Sequence, residues 1–369
     1  MNSRERLSRL FAGKEIDRVP VWLLFPYHRI GCYVDVYEQP SYQDIVEVKE
    51  NYTDIFDRRG FPIGFCLNSS LKIKYDVIEE KQDGKIIRKT TVSYEDTVLT
   101  GVVVDSGEGG ASRIEYMVKD IEDLEKILEM PYQAPRPDLT QFFKEKEELG
   151  DRGLMMASTG DPLGILYSLC KIEDFAIWTL TEKDRLLHFL DVMYERYLDF
   201  YEYLLENGVG PVYFIVGSEF AGPPVVSPTN FNDLSTRYVK GIVDKIRSYG
   251  MYSIVHYHGF LKDILQGMKE INPDALHTIE APPVGNCTIS EAREVLGDMI
   301  LIGNIQYDEL RSKTPEEMEE MVKEVLEEGK SGRFILSPTA GPYEKELSPR
   351  MQENYLKFMK AGLKYGKLD

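Results

Sequence analysis

Ser253-Ile254-Val255-His256-Tyr257-His258-Gly259 is an apolar strand that ends in two histidines. Successive strand residues point to opposite faces, so positions i and i+2 share a face. His256 and His258 are therefore expected to converge on one point. Gly259 then turns the chain toward a helix expected to begin near Phe260. In α/β barrels the C-terminal strand ends hold ligands and metals. On that reading the two rings take a metal or a substrate. The plainer alternative is a hydrogen-bonded histidine pair in a polar mouth.

Outward from this stretch, strand-like runs alternate with amphipathic helical ones. Strands are expected at Val19–Leu24, Leu154–Ser158, Pro211–Val216, Tyr252–His256, Ala275–Glu280, Met299–Gly303 and Phe334–Ser337. Helices are expected at Glu182–Glu206, stopped by Asn207-Gly208, and at Arg237–Ser248, closed by Gly250. Thr314-Pro315-Glu316-Glu317 reads as an N-cap, a first-turn proline and a capping-box Glu, and Ser348-Pro349 starts the last helix in the same way. Alternation of this kind implies parallel strands joined by crossover helices. No Gly-x-Gly-x-x-Gly follows the first strand and no Walker loop is present, which weakens the nucleotide-binding readings. Leu71–Asp105 breaks the rhythm. Asp83-Gly84 between β-rich runs signals a hairpin. An antiparallel meander at about 70–118, with a flexible loop at Gly107–Ala111, is expected as an insertion into a single domain spanning residues 1–369.

The 369 residues carry a formal charge of −18, a poor surface for nucleic acid or anionic membrane. Cys32, Cys66, Cys170 and Cys287 are scattered, with no Cys-x-x-Cys pair, which argues against a disulfide framework and a four-thiolate zinc site. No signal peptide pattern opens the chain, and no apolar run approaches the ~20 residues that span a bilayer. A cytoplasmic protein is expected.

If the strands form a barrel, their ends converge on one mouth. His256, His258 and Glu280 then make a two-histidine, one-carboxylate set suited to zinc with an open position. Glu219, Ser218 and Asn304 follow other strands, and His28 follows the first. Alternatives stand beside each: Glu219 pairs with a neighbouring cation, Glu280 caps a helix or bridges to His256, and Asn304 and His28 fix loops. His277, three residues before Glu280, is expected to face away, and His188 is placed mid-helix as a packing or surface residue. Of the 23 tyrosines, Tyr27, Tyr33, Tyr167, Tyr257 and Tyr343 fall near strand ends and suit an aromatic or amphiphilic ligand.

Several segments in order resemble the uroporphyrinogen decarboxylase superfamily over nearly the whole chain. They are Arg4-Glu5-Arg6 through Asp17-Arg18-Val19-Pro20-Val21-Trp22, Gly160-Asp161-Pro162, Ser218-Glu219-Phe220-Ala221-Gly222 with Ser227-Pro228, His256-Tyr257-His258-Gly259, and Gly303-Asn304. The resemblance implies a (β/α)8 TIM barrel with its site at the C-terminal mouth, here carrying the β insertion.

True decarboxylases of that superfamily act without a cofactor. They carry an Arg-Gln-Ala-Gly-Arg loop where this chain has His28-Arg29-Ile30-Gly31-Cys32, and Gly-His-Gly where it has Thr339-Ala340-Gly341. Most arginines that would hold a polycarboxylate are thus missing, and burying carboxylates without cations is costly. The cobamide-dependent methyltransferase branch binds zinc through His-x-Cys and a later Cys. Here His256 matches the histidine, His258 replaces the first cysteine, and Ala340 stands at the late position. A site without thiolates suits a Lewis acid polarising an ether or amine donor.

The resemblance thus implies a corrinoid-dependent methyltransferase acting on a small methylated donor, with zinc held by His256, His258 and Glu280. Its catalytic candidates are Glu219, Tyr167 and Ser218, and its substrate contacts Tyr27, His28, Arg29, Asn304 and Tyr257. A corrinoid protein is the expected partner, and a homodimer is left open. The alternatives are decarboxylation of a porphyrinogen or other carboxylate, and a non-catalytic ligand-binding barrel.

Overall fold

The computed structural model describes residues 1–28, 34–105 and 111–368. Its strands are β1 (Ile55–Arg59), β2 (Lys74–Gln82), β3 (Lys85–Tyr94), β4 (Thr97–Asp105), β5 (Ala111–Glu115), β6 (Gly153–Gly160), β7 (Val212–Val216), β8 (Tyr252–His256), β9 (Ala275–His277), β10 (Ile300–Ile305) and β11 (Phe334–Pro338). Two sheets form. One is seven-stranded in the order β1-β6-β7-β8-β9-β10-β11, parallel throughout. The other is the antiparallel sheet β2-β3-β4-β5. The fold is therefore mixed α/β, with the expected meander present.

The expected first strand, Val19–Leu24, is a correction. It contributes one parallel bridge, Val21 to Leu336, instead of a ladder. Pro20 has no N–H to donate, the Val21 N–H goes to the Asp54 carboxylate at 3.0 Å, and Leu24 turns away at φ 63°. The segment nonetheless touches both edges of the large sheet. Leu336 N–H donates to Pro20 O, Trp22 N–H donates to Leu336 O, and Asp54 N–H donates to Val21 O. The parallel sheet thus curls around an interior, with seven strands and one bridging segment among the described residues.

Strand alternation fills that interior. Trp22, Phe56, Met156, Phe214, Ile254, Ala275, Ile302 and Ile335 form one buried cluster, joined from below by Leu7, Leu10 and Phe11 of the N-terminal helix Ser3–Phe11. The opposite faces of the strands pack against the helices in a second, larger cluster. In β1, Ile55 belongs to the outer cluster and Phe56 to the inner one, so Asp57 faces outward and Arg58 inward.

Helices lie where helical periodicity places them, at Lys183–Glu206 and Arg237–Ser248, and the Thr314 capping box and Ser348 cap are present. Asp83 and Gly84, both at positive φ, make the hairpin turn between β2 and β3. The loop expected at Gly107–Ala111 falls mostly outside the described residues. No helix among the described residues is long and apolar enough to cross a membrane.

Candidate functional site at the strand ends

One layer above the inner core, alternation places Arg58 (β1), Ser158 (β6), His256 (β8), His277 (β9) and Asn304 (β10) on the inward face. His256 and His258 do share a face: their ring centroids lie 4.5 Å apart at 87°. Gly259, at φ 105°, turns the chain as expected, but a 3-10 turn at Leu261–Ile264 comes before the α-helix Leu265–Ile271.

His277 is a correction. It does not face away: its Nδ1 lies 2.8 Å from the Nδ1 of His256, and the two rings stack at 4.9 Å. Strand β9 ends at His277, so a face counted back from Glu280 crosses residues that are no longer strand. Counting forward from inward Ala275 gives the right answer. Burial, with His258 and Arg58 nearby, holds the His256 ring well below its ordinary pKa and His277 down to about 3. Both rings are therefore neutral at pH 7. One Nδ1 donates and the other accepts, and the accepting ring carries its proton on Nε2. His277 Nε2 and the Asn304 side-chain oxygen are buried with no hydrogen-bond partner among the described residues. Such atoms in a native fold call for an explanation.

His258 Nδ1–H donates to Glu280 Oε1 at 2.9 Å, and Gly259 N–H donates to Oε2 at 2.9 Å. Burial would raise the Glu280 carboxyl, but these two donors outweigh it and hold it below its ordinary value. The carboxylate thereby fixes the His258 ring with its Nε2 facing away from Glu280. Carboxylates that orient metal-binding histidines sit in this way. The side-chain hydrogen bonds of both rings run through Nδ1. The donor set fits a borderline divalent ion in its chemistry: imidazole nitrogens with a carboxylate, and no thiolate. Cys66, Cys170 and Cys287 are buried, and burial pushes each thiol up to about 12. Cys32 lies outside the described residues.

Glu219, half-buried, follows β7. Its Oε2 accepts the Gly217 N–H at 3.3 Å, and burial raises its pKa against the offsetting charges of His258 and Arg58. Tyr167 stacks on Phe220 at 3.4 Å and 9°, forming an aromatic wall next to Glu219. Ser218 is not available for catalysis as expected. It is buried, its hydroxyl donates to Asp161 Oδ2 at 3.2 Å, and it accepts from Ser235. Asp161 caps the helix Pro162–Leu169 through the Gly164 N–H. Gly217 is required beside it, since a Cβ there would lie 2.0 Å from Asp161 Oδ1.

Burial pushes the Asp161 carboxyl up to about 7, against the Gly164 N–H and with the help of Glu219. The folded protein therefore binds this proton more tightly than the unfolded chain does. Between about pH 4 and pH 7 stability from this group falls as pH rises. Asp161→Asn keeps the cap and removes the titration. Its melting temperature relative to the unsubstituted protein is expected to rise from about pH 5 to about pH 8. A difference flat with pH would refute the assignment.

Three expected substrate contacts do not reach the mouth. Tyr257 alternates outward, fully buried against Phe231. Tyr27 and His28 fold back over the outer face of β1, where Asp57 accepts both backbone N–H groups and pairs with the His28 ring. Arg29 lies outside the described residues. Among the described residues, His28, Asp57 and Glu145 are the one group of three whose ligand atoms all lie within 4.8 Å of one another. Their lone pairs are already engaged: Asp57 by three donors, and Glu145 by Arg59 and Gln141. His256, His258 and Glu280 do not meet that spacing as placed.

Two cavities lie away from the mouth, about 590 Å³ beside Arg6 and Arg18 and about 530 Å³ between Ile63 and Leu169. Neither gathers the histidines.

The fold is shared with a methyltransferase from Methanosarcina mazei, at TM-score 0.65 and 16% identity, covering 99% of both chains. D-psicose 3-epimerase from Clostridium cellulolyticum H10 is more distant, at TM-score 0.35 and 10% identity, covering 67% of this chain and 92% of that one. No curated protein matches in sequence. The sequence model for uroporphyrinogen decarboxylase (URO-D) matches residues 97–360, and with that match over most of its length the chain belongs to the uroporphyrinogen decarboxylase family.

Proposed function

We propose that this protein is a methyltransferase that moves a methyl group between a small methylated donor and the corrinoid of a partner protein. The reading takes residues 1–369 as one cytoplasmic (β/α)8 barrel, with the Val21 segment as the eighth stave. The observation that carries it is the close approach of the His256 and His258 rings, 4.5 Å between centroids, with His258 held by Glu280. These two rings would hold a zinc ion, with Glu280 as third ligand or as the carboxylate that orients His258. Bound there, the ion would supply Lewis acidity that weakens the bond from the donor heteroatom to its methyl group. Glu219, its pKa raised by burial, is suited to protonate that heteroatom as the methyl group leaves. The Tyr167–Phe220 wall would screen the reacting bond from water.

The reading is tested by metal analysis of the purified protein together with methyl transfer from a methoxylated aromatic to added corrinoid protein. About one equivalent of divalent metal, and transfer abolished by chelation and restored by zinc, are expected. Metal-free protein with undiminished transfer would sink the metal role. Absence of transfer from a panel of ether and amine donors, alongside turnover of uroporphyrinogen, would favour decarboxylation instead.

A further inference from the structure

We infer that β2 is the docking edge for a second copy of this chain, the two copies pairing antiparallel about a two-fold axis to make one continuous sheet. β2 ends the sheet β2-β3-β4-β5, and each of its nine residues is exposed. The two-residue turn at Asp83-Gly84 closes on the pair Gln82–Lys85, and hydrogen-bonded pairs alternate along an antiparallel ladder. The even-numbered residues therefore bond to β3, and Tyr75, Val77, Glu79 and Lys81 turn their N–H and C=O groups outward. No other strand takes up these groups among the described residues. An edge of this kind is a template for another strand unless something blocks it. No proline interrupts Lys74–Gln82, and its pairing with β3 runs without a register shift.

Charge selects the occupant. Charged side chains on an edge strand ordinarily keep copies apart. A two-fold axis through the sheet places one residue opposite its own copy, which leaves few registers. With Asp76, Glu79 or Glu80 on the axis, a carboxylate faces itself. With Ile78 there, Asp76 faces Glu80. An axis nearer either end pairs three residues of the strand at most. With Val77 on the axis, Lys74 of each copy faces Glu80 of the other, and no like charges are opposed. Lys74 and Glu80 have no ion-pair partner of their own among the described residues, whereas Glu79 is taken by Arg88. The same register gathers apolar surface. On one face Val77 meets Val77 with Tyr75 of each copy beside it, and on the other the two Ile78 side chains are diagonal neighbours. In the single chain Tyr75, Val77 and Ile78 are 58%, 46% and 58% exposed. Charge pairing and apolar cover thus pick out one and the same alignment.

Sedimentation equilibrium of the full chain reads the dimer. Pairing along one strand makes a small interface, so a reversible dimer with a dissociation constant of about 50 µM or below is expected. Val77→Pro removes an outward N–H and leaves the ladder to β3 intact, and is expected to weaken the dimer about tenfold or more. Lys74→Glu and Glu80→Lys each set like charges opposite one another and are each expected to weaken it about tenfold. Combining the two reversals restores opposite charges, and is expected to return the constant to within about threefold of the unsubstituted protein. Should Val77→Pro fail to fold, the exposed charge variants decide alone. A chain that stays monomeric up to about 200 µM would overturn the pairing. So would a dimer indifferent to folded Val77→Pro or to the single reversals, or one that the combined reversal leaves weak.

Discussion

Asp54→Ala is expected to destabilise the protein by about 3–5 kcal/mol, the cost of breaking a buried ion pair from one side. The Asp54 side chain is wholly buried, and it accepts from Arg6 Nη1 at 2.7 Å, Arg18 Nη1 at 2.7 Å and Val21 N–H at 3.0 Å. Alanine would leave two nearly buried guanidinium groups facing each other, with only Asp17 remaining to pair with Arg6. It would also strand the Val21 N–H. Asp54→Asn keeps an acceptor for Val21 but not the charge, and should fall between. Urea unfolding reads the effect as a lower midpoint at constant slope. A loss under about 1 kcal/mol would mean that water reaches both arginines in the variant. The same carboxylate holds the bridging segment in place, and Trp22 of that segment packs 5.7 Å from the His277 ring. A weakened tie at the sheet edge is thus expected to disturb the mouth as well.

His256→Ala and His258→Ala are each expected to lower methyl transfer by about a thousandfold, or about 4 kcal/mol of transition-state stabilisation. Each substitution removes one of the two imidazoles offered to the metal, so metal content should fall with activity. Glu280→Gln should cost less, about 10–100-fold, because it loosens the His258 ring without deleting it. The ordering separates ligand from orienting group. If Glu280→Gln costs as much as His258→Ala, the carboxylate itself binds the ion. Activity of either histidine variant within tenfold of the unsubstituted protein would end the proposed role of the pair. Far-ultraviolet circular dichroism should not change, since both rings stand at the end of a strand and not in its core.

Much of the large sheet was legible because parallel strands buried on both faces read as apolar runs, and the helices between them carry a 3.6-residue period. Two strands resisted for opposite reasons. Val19–Leu24 looks apolar, yet Pro20 and the Asp54 side chain break its ladder. β1 pairs fully with β6 while exposing no apolar pattern, because Asp57 and Arg58 are used, outward and inward, for polar contacts. That His256 and His258 share a face was legible from the two-residue period of a strand. Tyr257 and His277 were misplaced by a single step of alternation. Such a step is decided by where a strand stops, and composition does not mark that place. Asp161 drew attention only as part of a longer segment, and Ser218 was read as catalytic instead of as its partner. Their mutual hydrogen bond joins residues far apart in the chain, which local pattern cannot reveal.

The bridging segment has a consequence for biosynthesis. Val19, Pro20 and Trp22 leave the ribosome roughly 300 residues before Leu336 and Gly366, with which they bond. At typical translation speeds that interval is on the order of tens of seconds. Throughout it, Leu7, Leu10, Phe11 and Trp22 have no completed interior to enter. Until Leu336 and Gly366 emerge, the nascent chain presents an apolar helix face and an unpaired strand edge.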